Sequence, residues 1–458
     1  MKKNLLLLFM SLHFIAQAQV FEVETIWQSG SIDDRINFVI MGDGYRDIEL
    51  VDFMTHAEDF TNELFNETRF KEYKNFFNVF AIKVISNESG ASHPGTATDV
   101  GEPAHPIADV DNYFGSTFDF AGTHRLLVPT NTVALNNVLA TNFPNYDQPI
   151  VIVNSPHYGG SGGPFATTSL QNTFGNIAIH EVGHSFAALA DEYYAGDALA
   201  AERANMTQET NPTLVKWKNW MGSNGVGIYQ HCCGGNSSSW YKPHESCKME
   251  SLLNPFCSVC SEGIIEKIYE LVNPIESYAP NADPVDLTQE TTFSLNVIEP
   301  TPNTFEFEWR LNGNLFDSGS NSTALSLDDL SAQDNQLVGY AIDETELLRP
   351  NDQETLHIFT VTWNVNGAVV SVDEVAEQQF KLSLYPNPTT NLLNIRHDLS
   401  QNYHVIITDL LGKELLRNDY TSAQNEIQIP LQSLKSGIYL VNIYFENGLV
   451  LSRKIVKE

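Results

Sequence analysis

Hydrophobic and polar positions divide this chain into three textures. From Gln19 to about Asn273 strand-like and helix-like runs alternate. Ile36-Asn37-Phe38-Val39-Ile40-Met41 predicts a buried strand that ends in the turn Gly42-Asp43-Gly44, and helical spacing follows over 48–65. Val151-Ile152-Val153 predicts a second short strand. It leads into the glycine-rich loop Tyr158-Gly159-Gly160-Ser161-Gly162-Gly163, then an extended stretch over 165–169 and an apolar helix. Ile264, Ile268 and Leu271 keep helical spacing until Asn273-Pro274 stops it.

Beyond residue 275 the period changes. Phe305-Glu306-Phe307-Glu308-Trp309-Arg310-Leu311 alternates strictly, which predicts a strand with one wet face, and Asn312-Gly313 is a hairpin turn. Phe359, Val361, Trp363 and Val365 repeat the pattern. The last texture, over 378–458, is also β, with Val405-Ile406-Ile407-Thr408 and Ser436-Gly437-Ile438-Tyr439-Leu440-Val441 as strands. The expectation is a multidomain chain: an α/β (α+β) domain followed by two small all-β sandwich domains.

The first residues belong to none of these. Lys2 and Lys3 precede an apolar run from Leu5 to Ile15 and then Ala16-Gln17-Ala18-Gln19, the layout of a cleaved signal peptide over 1–18. No later run reaches the length of a membrane span. The formal net charge is −32, from 25 Lys and Arg against 57 Asp and Glu. Such a chain repels nucleic acid, so neither nucleic acid nor a membrane span is expected.

The helix after the glycine loop carries the chemistry. In His180-Glu181-Val182-Gly183-His184 the two histidines stand four positions apart and share one helical face, about 6 Å apart along the axis. Two Nε2 atoms so placed can converge on one zinc ion, with Glu181 beside them as a base rather than a ligand. Two histidines and a glutamate in an apolar helix are costly to bury without such a partner. The third ligand is less direct. In an unbroken helix Asp191 returns to the same face about 10 Å too far along, so it reaches the ion only if the helix ends near 187–189 and the chain folds back. Glu192 is the reserve ligand; His157, His231 and His244 are more distant candidates.

HEVGHSFAALADEYY, from His180 to Tyr194, resembles the IgA-peptidase-like zinc metallopeptidases (igalysins), a branch of the metzincins. The resemblance extends to MGDGY at 41–45, YGGSGG at 158–163, and CKME with FCSVC within 247–260. In metzincins the motif HExxHxxGxxH turns at its glycine; here Ala187 takes that position, and an acid stands one residue after the place of the last histidine. The resemblance implies a metzincin-like catalytic domain over 19–274, zinc as cofactor, His180, His184 and Asp191 as metal ligands, Glu181 as catalytic base, and Met249 in a turn beneath the metal. Residues 378–458 resemble the C-terminal sorting domain of type IX secretion. This implies recognition by that machinery and a product that is secreted or attached to the cell surface; between the two, the alternating strands predict a β-sandwich (Ig-like) domain over 275–372.

Cys232, Cys233, Cys247, Cys257 and Cys260 are the only cysteines. In an exported protein they predict two disulfides and one free thiol, the competing arrangement being a zinc knot on Cys257-x-x-Cys260 with two upstream thiols. The function expected is a secreted zinc endopeptidase with a protein or peptide substrate. The alternatives are a cell-surface adhesin with a vestigial metal site and a metal hydrolase acting on a non-peptide amide or ester.

Overall fold

The computed structural model describes residues 19–197, 199–331, 334–349, 355–367, 382–397, 402–410, 412–421, 426–446 and 450–458. The expected signal peptide and the segment between the two expected sandwiches lie outside these residues. The architecture is multidomain, a mixed α/β first region followed by β-sandwich-like sheets, and the chain forms two compact units. The first comprises residues up to Glu67 together with Phe77–Ala188; the second comprises Thr68–Phe76 and Leu189–Glu458.

In the first unit the strands are β1 (Val23–Gln28), β2 (Ile36–Asp43), β3 (Phe77–Ile82), β4 (Ser116–Thr117), β5 (Val128–Pro129), β6 (Gln148–Val153), β7 (Gly160–Ser161) and β8 (Ala166–Thr168). One sheet runs in the order β1-β3-β2-β6-β8-β7, while β4 and β5 pair as a small separate ribbon. The pairings from β3 through β8 are parallel; β1 and β7 join antiparallel at the edges. Every residue of β2, β3 and β6 is buried, as continuous apolar runs require when both faces of a sheet are covered. The helices of this unit are α1 (Leu50–Leu64), α3 (Thr132–Asn142) and α4 (Phe174–Ala187), while α2 (Thr68–Glu72) and α5 (Ser258–Leu271) belong to the second unit. Alternation along β2 sends Val39 and Met41 to the cluster containing Leu135, Val138 and Leu139 of α3. Phe38, on the other face, meets Phe186 of α4 with ring centroids 5.4 Å apart.

The MGDGY stretch has a structural explanation. Asp43, at the end of β2, is fully buried and accepts hydrogen bonds from the backbone N–H groups of Gly44, Phe114 and Ser116, and from the Ser86 hydroxyl. One carboxylate thus fixes the long irregular loop between β3 and α3 to the sheet. Gly44, at φ 70°, approaches the Gly90 carbonyl so closely that a Cβ would lie 2.1 Å from it, which leaves only glycine there.

In the second unit, the strands Ile275–Ala279, Thr291–Val297 and Ser322–Leu325 form one sheet. Val285–Leu287, Ile358–Gly367, Asn335–Asp343, Phe305–Leu311 and Asn314–Ser318 form another. Phe293 of the first meets Trp363 of the second at 5.3 Å, and Trp363 stacks on Trp309, so aromatic side chains fill the sandwich. Asn312 and Gly313 both have positive φ, making the expected tight hairpin turn. The Tyr73 and Tyr269 hydroxyls, from the segment after α2 and from α5, both donate to Asp343 of this sandwich, at 2.7 and 2.6 Å. The C-terminal strands build a further pair of sheets around Leu393, Val405, Ile407, Val441 and Ile443.

Asp43→Ala would leave several buried N–H groups without an acceptor. It is expected to cost on the order of 2–4 kcal/mol and to lower the urea midpoint of the first unit's unfolding transition. An unchanged midpoint would show that the loop is held by other means.

Candidate metal centre

Helix α4 buries Ile177, Ala178, Ile179, His180, Val182 and Phe186. His180 is almost fully enclosed. Its Nε2 faces the His184 Nε2 at 3.2 Å, a separation close to one edge of a tetrahedron with bonds of about 2.1 Å. The helix stops at Ala187. Ala188 turns into the left-handed region, φ 52° and ψ 32°, and its N–H returns to the Gly183 carbonyl. The turn residue is therefore Ala188 rather than the Ala187 that the motif suggested. Asp191 follows it by three positions, the spacing between glycine and last histidine in HExxHxxGxxH. His180 and His184 each offer a ligand atom from this helix face, and Asp191 is a further candidate donor just beyond the turn.

The residues after the turn are held by backbone contacts. Asn205 clamps Ala190 from both sides, accepting from its N–H at 2.8 Å and donating to its carbonyl at 2.9 Å. His231 Nε2 lies 3.1 Å from the Asp191 carbonyl and 3.0 Å from the Tyr193 carbonyl; since carbonyls only accept, this nitrogen carries the proton. His231 thus positions the segment through its backbone. His244 accepts from the Ser246 N–H, and His157 stacks on His105. Asn205 and His231 escaped sequence reasoning as positioning residues, because both act across many intervening residues and neither belongs to a short motif. Met249 is fully buried, and its carbonyl accepts the Glu192 N–H at 2.8 Å.

Glu192 is corrected as a reserve ligand. Its Oε1 accepts from Asn205 at 3.0 Å and lies 3.1 Å from Cys260 Sγ, in a separate fully buried group with Cys247, Cys257 and Cys260. Burial, reinforced by the Cys247 thiol, pushes its carboxyl well above the usual range. The expected disulfides are also corrected: all five cysteines are free, and Cys247 and Cys260 Sγ stand 3.6 Å apart against about 2.05 Å for a bond. Hydrogen bonds from the neighbouring thiols hold Cys257 down to about 5, while burial pushes Cys247 up to about 12. This group has the donors to hold a thiophilic ion, with Glu192 in the place expected of a second upstream thiol.

The glycine loop reaches α4 in the first unit. A Cβ on Gly160 would lie 3.1 Å from Glu181 Oε1, and one on Gly162 would lie 2.5 Å from His184 Cβ. Glycine here lets the edge strand β7 press against the face of the helix that carries Glu181 and His184. The 166–168 stretch is paired on both sides, with β6 and β7.

Ala188 without a Cβ would escape the left-handed penalty, so Ala188→Gly is expected to stabilise the protein by about 1 kcal/mol with metal content unchanged. Ala188→Val is expected to lower both stability and bound metal. Thermal melts with metal analysis of both variants check this; a valine variant with full metal content would show that the turn does not set the ligand geometry.

Among curated proteins no relative matches the chain. Solved structures overlap parts of it. One is a DUF3244-family protein with an immunoglobulin-like β-sandwich fold from Bacteroides vulgatus, 20% identical over 17% of this chain and 83% of that one, TM-score 0.16. Another is dimeric latent PorU from Porphyromonas gingivalis, 14% identical over 40% of this chain and 20% of that one, TM-score 0.17. A two-domain fibronectin type III segment of chicken tenascin is 13% identical over 38% of this chain and 95% of that one, TM-score 0.15. Likeness this low carries no argument, and the fold rests on the strand pairings themselves. Family models are more specific. Residues 383–458 match the secretion system C-terminal sorting domain, which marks the chain for type IX export to the medium or the cell surface. Among the described residues no helix is long and apolar enough to cross a membrane. The peptidase match ends before the cysteine group, so the CKME and FCSVC blocks lie beyond it. Residues 25–228 match the model of IgA Peptidase M64, and with the sorting domain they carry the two families that the sequence motifs resemble.

Proposed function

We propose that the chain is a secreted zinc endopeptidase. Its parts are a signal peptide over 1–18, a metzincin-like catalytic domain over 19–274, a β-sandwich domain over 275–372 and a sorting domain over 378–458. The observation that carries the reading is the approach of the His180 and His184 Nε2 atoms to 3.2 Å on one face of α4, with Asp191 proposed as the third ligand. Two imidazole nitrogens and a carboxylate are the donor set for a zinc site that keeps positions for water and substrate.

A zinc ion held there would polarise the scissile carbonyl and supply a water of lowered pKa. Glu181, next to His180 on α4 and with Oε1 beside the glycine strand, would serve as the base that takes a proton from the attacking water and returns it to the leaving amine. His180 is fixed by its burial in the helix face, and His184 by the close approach of Gly162. Asn205 and His231 hold the backbone that carries Asp191, so neither needs to touch substrate. Met249 lies beneath this segment and pins it through the bond to Glu192.

Glu181→Ala is expected to keep its metal and lose activity on casein by roughly 10²–10⁴-fold, the usual worth of a general base. Asp191→Ala is expected to lose metal as well as activity. Metal analysis beside a chelator-controlled casein assay decides both. Unchanged cleavage by Glu181→Ala would refute the base assignment, and full metal in Asp191→Ala would refute the ligand.

A further inference from the structure

We propose a second metal site, separate from α4, in the long loop between β3 and α3 of the first unit. Its ligands are His93, Glu102, Asp119 and His124, and its ion is a divalent transition metal of the zinc class. None of these residues belongs to a short sequence motif, yet one offered atom from each lies within 4.8 Å of the others. His93 Nε2 stands 3.2 Å from Glu102 Oε2 and 3.5 Å from Asp119 Oδ2. His124 Nδ1 stands 3.2 Å from Glu102 Oε1 and 3.0 Å from Asp119 Oδ1. These separations match the edges of a coordination polyhedron with bonds of about 2.1 Å.

Orientation is the second argument. His93 Nδ1 lies 3.1 Å from the Pro106 carbonyl, which only accepts, so Nδ1 carries a proton. In the neutral ring Nε2 then turns a lone pair toward two carboxylates. That nitrogen is fully buried and makes no hydrogen bond, as is Glu102 Oε1. A histidine whose far nitrogen is held by a carbonyl while the near one faces carboxylates is the arrangement of a metal-bound imidazole. The carboxylates are held from behind too: Asp119 Oδ2 accepts from the Thr96 N–H at 2.8 Å and Glu102 Oε2 from the Ala104 N–H at 3.0 Å. His105 packs on His93 at 3.6 Å, both its nitrogens lack partners, and it is grouped with His93 and His124 as a further donor.

The ion's charge balances the two carboxylates, so burial leaves little net charge. Two imidazoles select a transition ion over calcium or magnesium, which take oxygen ligands. The site would staple a stretch that has little regular structure of its own. Asp119 itself sits at φ 61° and Ala121 at φ 53°, conformations that non-glycine residues hold only under constraint. Phe118, beside Asp119, backs Gly159, where a Cβ would come within 2.6 Å of its ring, and the Arg125 carbonyl accepts the Gly160 N–H at 3.1 Å. The stapled loop therefore supports the glycine strand that lies against Glu181.

The rival account is a metal-free cluster in which His93 and His124 are both protonated and paired with the two carboxylates. The test begins with the full chain stripped of metal and reloaded with zinc. His93→Ala/Asp119→Asn is expected to bind one zinc equivalent fewer than the parent, both in the parent and in a His180→Ala/His184→Ala background. Equal zinc in variant and parent would overturn the proposal. Should the variant not fold, hydrogen exchange on the stripped, unsubstituted chain decides. Zinc is expected to slow amide exchange across 93–124 by about ten-fold or more, and no change there would overturn it. The His180→Ala/His184→Ala background keeps failure of this site distinguishable from failure of the α4 site.

Discussion

A carboxylate seven residues beyond a helical histidine lies about 10 Å farther along the axis, so no straight helix lets the two share an ion. The proposed Asp191 ligand therefore depends on the break at Ala188. The residue that makes the break has a Cβ and adopts a left-handed conformation at a cost of about 1–2 kcal/mol. Something must hold it there. Asn205 grips Ala190 through both its N–H and its carbonyl, His231 gathers two further carbonyls, and Met249 receives the Glu192 N–H. Backbone bonds from distant parts of the chain thus fix a turn that local preference opposes.

The adjacent acids Asp191 and Glu192 show how little separates two fates. After the turn the backbone sends Glu192 into a sealed pocket of thiols and leaves Asp191 outside that group. Either acid satisfies the arithmetic of a motif read as a string, which is why Glu192 stood in reserve. What separates them is that Glu192 is anchored at its N–H by Met249 and at its carboxylate by Asn205, both distant in sequence. The same pocket explains the disulfide error: thiols spaced like a secreted framework converge on a carboxylate instead of pairing.

Elements with a strong period were legible. The β2 run, the α1 spacing, the 305–311 alternation and its Asn-Gly turn each depend on neighbours within a few positions. HExxH was legible for the same reason, since its two histidines share a helix face. The end of the helix was expected within 187–189 but not at one residue, because Ala187 takes the template's glycine position and Ala187 and Ala188 cannot be told apart by residue type. The MGDGY stretch could be recognised but not explained, for its reason lies in loop N–H groups at 114 and 116.

The loop between β3 and α3 was the least legible part, and the reason is physical. It has almost no hydrogen-bond ladder to impose a period, so its conformation is set by side chains that meet across many residues. Asp43 collects its N–H groups at one end, where desolvation makes an unpaired carboxylate costly and thus fixes the chain around it. At the other end His93, Glu102, Asp119 and His124 converge, with His93 Nε2 and Glu102 Oε1 buried and making no hydrogen bond. Polar groups are brought together out of water only where something repays their dehydration. For Asp43 that is a set of backbone donors; for the histidine-carboxylate group the matching partner is a cation. The two devices do the same mechanical work, holding a loop with little secondary structure against the sheet that carries the glycine strand.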